Sequence, residues 1–340
     1  MTRCRKLLAA LLITTAPISM AVTSAHAADI TGAGSSFAAP IYQAWGDLAK
    51  GTTGISLNYQ SVGSSAGQNL VTARTVDFGA SDAPMSSEKL EAAHLYQFPT
   101  VMGGIVPVVN IPGIHNGELK LTGAVLADIY LGEISSWNDP KIVALNPGLN
   151  LPDLPIAPVH RADGSGTTFV FTSYLAKVSP SFKENVGAAS SVQWPGGAGA
   201  RGNDGVGASV HATEGGIGYV EYAYARHNAI PTVQLQDADG AFVKPDINSF
   251  AAAATNADWT HASHFAVDLL NGSGKNVWPI VSATFVLVPT DPKDTARAAN
   301  VRKFFETSLK SGDATATKLD YIPLPETVKQ SVSAQYPAFK

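Results

Sequence analysis

The sequence predicts an α/β fold in which short strands alternate with helices, with largely parallel sheets. The run 283–288 has the apolar, β-branched composition of a strand, and 55–59 alternates apolar and polar residues as a strand does. Between such runs, apolar residues recur every three or four positions, which is the helical period. Gly/Ser-rich turns lie where several strands lead into helices. Ligands of such folds bind at the carboxyl ends of strands, so these turns predict a ligand crevice.

The first unit of this fold is a strand that begins at Asp29, a Gly/Ser loop and a helix. Pro40 suits the first turn of the helix, and the hydroxyls before it suit an N-terminal cap. One face of the helix is apolar and carries Phe37, Ile41, Trp45 and Leu48.

The same order recurs further along the chain. A strand at 55–59 leads through the loop 63–67 into a helix at 68–74. A buried strand at 76–82 follows and ends in the carboxylate of Asp82. Strand ends therefore carry polar groups at two successive turns.

Longer segments complete the pattern. We expect helices at 86–95 and 295–309, and helical structure through 250–270. The apolar stretch 101–110 is long enough for a strand that crosses between domains. The glycine-rich segment 196–207 predicts a mobile surface loop.

Residues 1–27 have the pattern of a signal peptide that is cleaved on export. A basic start precedes the apolar run 7–20, which is too short to span a bilayer stably, and an A-x-A cleavage pattern lies at 25–27. The single cysteine, Cys4, is lost with this segment. We therefore expect a cysteine-free protein in a Gram-negative periplasm, held together by its core and not by disulfides.

Charge limits the partners of the mature chain. Of 340 residues, 313 remain after cleavage, enough for two domains. The formal net charge of −4 becomes −7 because the removed segment carries three basic residues and no acid. Without a Lys/Arg run, this balance argues against nucleic acid and anionic membranes. An anion would have to be bound by local dipoles and placed donors.

The stretch 161–168 is the most concentrated group of polar residues. It combines the guanidinium of Arg161, the carboxylate of Asp163, three hydroxyls and two glycines, and a helix-compatible apolar run follows at once. A helix that starts there directs its free N–H groups and positive dipole end into the loop, which suits an anion. The alternative is an ordinary capped helix start.

Two other predicted helix starts carry similar donors, at Ser36-Phe37 and at Ser64-Ser65. Together with Ser165-Gly166-Thr167 and one arginine they favour a tetrahedral oxyanion, whose lone pairs need many donors once it leaves water. Asp82 narrows the choice, since a carboxylate beside an anion is repulsive unless the ligand offers a proton. Hydrogen phosphate has one and sulfate has none, a difference worth roughly thousand-fold. The alternative makes Asp82 an N-cap.

Two further interpretations remain open at this point. The loop 63–67 matches the G-x-S-x-G turn of serine hydrolases, with Ser65 as nucleophile and Asp163 as acid. The histidines formally available to it are His211, His227, His261 and His264. The last two are also spaced for a metal, but a solvated helix face is the plainer explanation, and we expect no metal.

These residues lie in segments that resemble the periplasmic phosphate-binding proteins of ABC-type importers. The similarity covers nearly the whole mature chain, including TGAGSSFAAPIYQAW (31–45), VGSSAGQ (62–68), VDFGASDAPMS (76–86), HRADGSGTTFVFTSYL (160–175) and GIGYVEYAYA (216–225). The resemblance implies a two-domain, type II binding-protein fold that closes over phosphate in the cleft between the domains. Domain I would comprise 28–103 and about 275–340, and domain II 104–274.

The resemblance also implies roles for individual residues. Asp82 would accept the phosphate proton, and Arg161, oriented by Asp163, would make the charged contact. The remaining phosphate contacts would come from hydroxyl or N–H groups of Ser36, Phe37, Ser64, Ser165, Gly166 and Thr167.

The sequence therefore predicts a receptor and not an enzyme, without a cofactor. It would be a monomer that captures inorganic phosphate and delivers it to the membrane permease subunits of a phosphate ABC transporter. The alternatives are a secreted serine hydrolase or phosphatase that uses Ser65, or a receptor for another oxyanion such as sulfate or molybdate.

Overall fold

A computed structural model describes residues 29–336 except 256 and 260. The predicted signal peptide at 1–27 lies outside these residues. Within the described part of the chain, no helix is long and apolar enough to span a bilayer.

The described residues form strands in chain order as follows: β1 Asp29–Gly34, β2 Ser56–Ser61, β3 Phe78–Ser81, β4 Leu95–Asn110, β5 Lys120–Leu121, β6 Ala157–Arg161, β7 Ala198–Ala200, β8 Gly216–Glu221, β9 Gln234–Gln236, β10 Phe242–Val243, β11 Val281–Pro289 and β12 Ile322–Pro323. The helices are α1 Ala39–Thr53, α2 Ser64–Thr72, α3 Ser87–Ala92, α4 Gly123–Leu131, α5 Pro140–Leu145, α6 Gly166–Val178, α7 Pro180–Asn185, α8 Gly202–Ala212, α9 Tyr222–His227, α10 Ile247–Thr255, α11 Thr295–Ser311, α12 Asp313–Lys318 and α13 Glu326–Gln335, with a short 3₁₀ helix at Ser263–Phe265.

Most strands join one mixed sheet in the order β2-β1-β3-β11-β4-β8-β6-β7, with β12 beside β4. The flanks are parallel, since β1 pairs with β2 and β3, and β6 pairs with β7 and β8. The centre is antiparallel, because β11 and β4 run against their neighbours. The prediction of largely parallel sheets thus holds only for the flanks. Fully buried strands are apolar whichever way they run, so their sequence does not report direction.

Strand β4 links the two halves of the sheet. Its first part pairs with β11, from Leu95 opposite Pro289 to Gly104 opposite Val281. From Ile105 onward it pairs with β8 instead. The predicted strand at 101–110 is therefore present and longer than expected.

Each half of the sheet has its own aromatic cluster. On one side, the ring of Phe78 contacts those of Tyr42 and Phe305 at 6.2 and 5.0 Å. On the other side, Phe171 of α6 stacks on Tyr219 of β8 with centroids 4.1 Å apart. These contacts fasten α1 and α6 to opposite halves of the sheet, so the starts of the two helices are positioned by different parts of one continuous core.

Several local predictions are confirmed. Helix α1 follows Ser36-Phe37 with Pro40 in its first turn. Helix α2 begins at Ser64, earlier than predicted, because Gly63 adopts a positive φ of 93° that turns the chain into the helix.

Three local predictions are wrong. The helix predicted at 86–95 ends at Ala92, and β4 begins at Leu95. Helical structure from 250 ends at Thr255, apart from the short 3₁₀ helix. The segment 196–207 is not simply a surface loop, because it forms β7 and the start of α8. The glycines of this segment hide the helical pattern in the sequence. In the structure α8 is amphipathic, and its Val206 and Val210 are buried against the sheet.

Gly34 offers a direct test of how tightly β1 and β3 approach. Its φ is +139°, and a Cβ atom there would lie 2.0 Å from the carbonyl oxygen of Ala80. We predict that Gly34→Ala lowers the free energy of unfolding by about 3 kcal/mol or more, from backbone strain and overpacking. Gly51 lies in α1, and a Cβ atom there would meet no atom within 4 Å apart from the adjacent backbone of its own helix. Gly51→Ala should therefore raise the free energy of unfolding by about 0.5–1 kcal/mol. Urea unfolding measures both, and equal effects would contradict the assigned close approach.

Candidate functional site

The starts of α2 and α6, which are fastened to opposite halves of the sheet, touch each other. The N–H of Ser65 donates to the carbonyl oxygen of Gly164 over 3.0 Å. A Cβ atom on Gly166 would lie 2.4 Å from Ser64 Oγ and 2.7 Å from the backbone N of Asp82. Only glycine allows this approach. Three stretches far apart in sequence therefore meet at one point.

Asp82 follows directly after β3 and is buried, with 1% of its surface exposed. Its Oδ1 accepts hydrogen bonds from Ser35 Oγ at 2.6 Å and Thr284 Oγ1 at 2.7 Å. Its Oδ2 accepts only a long bond, 3.3 Å, from Ser64 Oγ among the described residues. The N-cap interpretation of Asp82 is wrong, because the cap position of α3 is Ser86.

The ionisation of Asp82 reflects a balance of opposing effects. Burial raises the pKa of its carboxyl above the usual value. The hydroxyls of Ser35 and Thr284, the charge of Arg161 and the hydroxyl of Ser64 lower this pKa in turn. An ionised carboxylate only accepts hydrogen bonds, whereas a protonated one also donates one, so these neighbours favour the form that only accepts.

Arg161 ends strand β6, and Asp163 holds its side chain. The Nε and Nη2 atoms of Arg161 donate to the two carboxylate oxygens of Asp163 over 2.7 and 2.5 Å. Gly202 N–H also donates to Asp163, over 3.2 Å. Burial raises the pKa of Asp163, but the bonds and charge of Arg161 outweigh it and hold this pKa below its usual value. The guanidinium is therefore fixed in orientation.

The loop from Arg161 into α6 supplies further donors. Ser165 caps the helix, and its Oγ accepts from the N–H of Thr168 at 3.0 Å. Arg161 Nη1 reaches Thr167 Oγ1 over 3.4 Å. The first N–H groups of a helix have no intrahelical acceptor, so those of Gly166 and Thr167 point out of the helix start with its positive dipole end.

The start of α1 brings Ser36 and Phe37 to the same region. Ser36 Oγ accepts a hydrogen bond of 3.0 Å from Asn203 Nδ2, which comes from α8. The carbonyl oxygen of Phe37 accepts one of 2.6 Å from the hydroxyl of Tyr321. The residues predicted for the site thus lie around one region where α1, α2, α6 and the end of β3 converge.

Five polar residues of this region were not singled out from the sequence: Ser35, Asn203, Glu221, Thr284 and Tyr321. Asn203 links the halves of the sheet, since its Oδ1 accepts from the N–H of Glu221 while its Nδ2 donates to Ser36. Of these five residues, only Ser35 could have been found from the sequence, because its hydroxyl directly precedes the predicted donors Ser36 and Phe37. The other four act through contacts over 80 or more residues of chain, which no local pattern reports.

Glu221 ends β8 as a buried acid beneath this region. Its carboxylate accepts from the N–H groups of Ala223 and Tyr224 and from the hydroxyl of Tyr321 at 3.3 Å. Burial nevertheless raises its pKa from 4.5 to about 8. Proton binding by Glu221 is therefore coupled to the stability of the folded state.

A cavity of about 440 Å³ borders Asp82. Helix α6 lines one side of it with Phe169 and Ser173, and β11 lines the other with Ser282 and Phe285. Asp82 thus borders a space between the two halves of the sheet.

The hydrolase interpretation conflicts with this geometry. Its acid, Asp163, uses both carboxylate oxygens to hold Arg161. His211 lies in the last turn of α8, where its carbonyl oxygen accepts from Asn110. Across the described residues, no group of three or more His, Cys, Asp or Glu is placed to hold a metal ion.

Comparison with known proteins defines the class first. Residues 21–306 match the model of the PBP superfamily domain. The solved structure of a high-affinity periplasmic phosphate-binding protein, PfluDING, bound with phosphate has a TM-score of 0.74 at 22% identity, covering 91% of this chain and 94% of that one. A phosphate-binding protein from Stenotrophomonas maltophilia gives 0.68 at 20% identity, covering 91% and 94%. The predicted two-domain, type II periplasmic binding-protein fold is confirmed.

Closer relatives then identify the family. The phosphate-binding protein PstS of Pasteurella multocida is 49% identical over 336 residues, which are 99% of this chain and 96% of the relative. That of Xylella fastidiosa strain Temecula1 is 48% identical over 307 residues, 90% of this chain and 84% of the relative. The chain belongs to the family of PstS phosphate-binding proteins.

The buried acid at Glu221 predicts a pH-dependent stability. Glu221 releases its proton near pH 4.5 in the unfolded chain and near pH 8 in the folded chain. The stability that the protonated acid contributes to the fold is therefore complete below pH 4.5 and is lost as the pH rises through 8. Relative to Glu221→Gln, the unchanged protein should lose up to about 1.4 kcal/mol of unfolding free energy per pH unit between these values. Urea unfolding at several pH values measures the difference.

The matched control is Glu184→Gln, at an exposed position. It should leave the pH profile of the unfolding free energy unchanged. A profile for Glu221→Gln that runs parallel to that of the unchanged protein would contradict the raised pKa.

Proposed function

We propose that this protein captures hydrogen phosphate and dihydrogen phosphate in the cleft between its two domains and delivers them to an ABC-type phosphate importer. The observation that carries the proposal is the burial of an acceptor, Asp82, among the starts of three helices and beside an oriented arginine. Membership of the PstS family supports it. The receptor holds its ligand and carries out no reaction on it.

The proposed site binds the anion without an excess of positive charge on the protein. The guanidinium of Arg161 lies in a region that also holds three acids, Asp82, Asp163 and Glu221. Arg161 makes the charged contact, and hydroxyl and N–H donors satisfy the remaining oxygens of the ligand. The neutral donors are Ser36, Phe37, Ser64, Ser165, Gly166 and Thr167. Their number matters because a buried dianion needs most of its lone pairs satisfied.

Asp82 selects phosphate over sulfate. Its Oδ2 has only a long hydrogen bond among the described residues and lies beside Ser64, close to the start of α6. A ligand that carries a proton donates it to this oxygen. Sulfate presents a bare oxygen there, and two facing acceptors repel each other.

We infer that the domains divide at β4. Domain I comprises 28–103 and about 275–340, and domain II comprises 104–274. The change of β4 from pairing with β11 to pairing with β8 between Gly104 and Ile105 supports this boundary. The binding cycle is then a hinge motion that brings Gly166 onto Ser64 and Asp82.

Export and assembly complete the proposal. Residues 1–27 act as a signal peptide that is cleaved, and the mature protein works in the periplasm as a monomer. It delivers phosphate to the membrane permease subunits of the importer. It requires no cofactor, binds no metal and does not bind nucleic acid.

One calorimetric titration separates this function from its alternatives. The purified mature protein is titrated with phosphate, sulfate and molybdate at neutral pH, and hydrolysis of an aryl ester and a phosphate ester is followed in parallel. We expect binding of phosphate alone, one site per chain, and no turnover. Equal affinity for sulfate would contradict the role of Asp82. Turnover that Ser65→Ala abolishes would establish the hydrolase instead.

Asp82→Asn should relax the selectivity. The amide keeps an oxygen for Ser35 and Thr284 and turns an N–H₂ donor toward the ligand. We predict a gain in sulfate affinity of roughly a hundredfold, with a loss for phosphate. Calorimetry with both anions gives the ratio of dissociation constants.

Asp163→Asn is the matched control, since it removes a neighbouring carboxylate of the same region. It loosens Arg161 and should weaken phosphate and sulfate together, with an unchanged ratio. If Asp82→Asn also leaves the ratio unchanged, Asp82 does not select the ligand.

A further inference from the structure

Two hydroxyl groups hold the carboxylate of Asp82 from the side of domain I. Ser35 Oγ donates to Oδ1 over 2.6 Å while it accepts from the N–H of Ala38 at 3.2 Å, so both of its functions are committed. Thr284 Oγ1 donates to the same oxygen over 2.7 Å from β11, the strand paired with β3. Both residues are completely buried. Neither is free to bind a ligand directly.

These two bonds use up one oxygen of the carboxylate. A carboxylate oxygen accepts about two hydrogen bonds in the plane of the group, and Oδ1 has both from Ser35 and Thr284. The other oxygen, Oδ2, has only the 3.3 Å contact to Ser64 Oγ among the described residues. Since Ser64 lies beside Gly166 of α6, the side of Asp82 that still accepts is the side on which the ligand is proposed to lie.

The charge of Asp82 depends on the same two bonds. Arg161 of β6 is the cation that faces the carboxylate. Two further acids of the region are Asp163, which is paired with Arg161, and the buried Glu221. The charge of Asp82 also acts on three tyrosines whose own pKa burial raises, which leaves them neutral: Tyr42 of α1, Tyr59 of β2 and Tyr321 beside β12. Burial favours the protonated acid, and the two hydroxyls oppose burial. A protonated Asp82 would offer a donor and would accept sulfate.

We propose that Ser35 and Thr284 are specificity-determining positioning residues: they hold Asp82 ionised, with Oδ2 turned to the ligand, so that the site takes only an oxyanion that brings its own proton. The inference rests on the proposed function and deepens it. It assigns the choice between phosphate and sulfate to a pair of hydroxyls that do not touch the ligand. It also makes that choice dependent on pH.

Thr284→Val is the direct test, because valine keeps the shape and removes only the donor. Dissociation constants for phosphate and sulfate are measured by calorimetry between about pH 5 and pH 8.5. Sulfate carries no proton over this range, so its affinity reports the protonation of Asp82. Below neutral pH we expect the variant to bind sulfate roughly tenfold to a hundredfold more tightly than the unchanged protein does, the value of one hydrogen bond to a charged group. The difference should shrink as pH rises.

Three further variants distinguish positioning from simple packing. Thr284→Ser keeps the hydroxyl and should restore the selectivity of the unchanged protein at each pH. Ser35→Ala removes the other donor and should act in the same direction as Thr284→Val. Ser282→Ala is the control on the same strand, since within the described part of the chain that hydroxyl contacts the backbone carbonyls of Asp82 and Ala283 and no carboxylate. It should leave selectivity unchanged.

The outcomes separate this inference from the function on which it rests. If the unchanged protein binds no phosphate, the proposed function fails. If it binds phosphate selectively and Thr284→Val keeps the same pH profile of the sulfate-to-phosphate ratio, this inference alone is overturned. A Thr284→Val protein that loses both anions in proportion at every pH also overturns it, as does failure of Thr284→Ser to restore the profile. Thermal unfolding of each variant establishes that the protein measured is folded.

Discussion

A buried carboxylate at the centre of the proposed anion site is the constraint on which the rest of this account depends. In that proposal Asp82 repels any ligand that lacks a proton, and Arg161 is already paired with Asp163. Full charges therefore contribute little net attraction. The affinity must come from helix starts and hydroxyls whose donors are placed before the ligand arrives. Such donors attract every oxyanion, which leaves the discrimination between anions to the one acceptor.

The fold meets this requirement by joining the two halves of one mixed sheet through a single strand, β4. Helices α1 and α2 lie on one half and α6 on the other, and β4 connects the halves through the middle of the sheet. Contacts between the halves are backbone to backbone at Gly164 and Ser65, and side chain to side chain at Asn203 and Ser36. Each set of donors rests on its own aromatic cluster within one continuous hydrophobic core.

Those parts of the proposed site that a local pattern encodes could be predicted from the sequence. Glycines and hydroxyls before apolar helices marked Ser64 and Ser165, and a buried strand that ends in a carboxylate marked Asp82. The sequence did not mark Thr284 or Asn203, because their partners are 202 and 167 residues away. Glycine content hid α8, whose buried face is made by tertiary packing and not by helix propensity. Strand direction escaped prediction since buried strands are apolar in either direction.

The most direct measurement is a crystal structure of the mature protein with phosphate bound near pH 8. The account predicts one phosphate oxygen at about 2.5–2.7 Å from Asp82 Oδ2, the distance of an O–H donor to a carboxylate. It also predicts that Ser35 and Thr284 stay on Oδ1 and that Arg161 contacts a different phosphate oxygen. A phosphate whose oxygens all lie beyond hydrogen-bonding distance of Asp82, with the acid turned away from the ligand, would contradict the central claim.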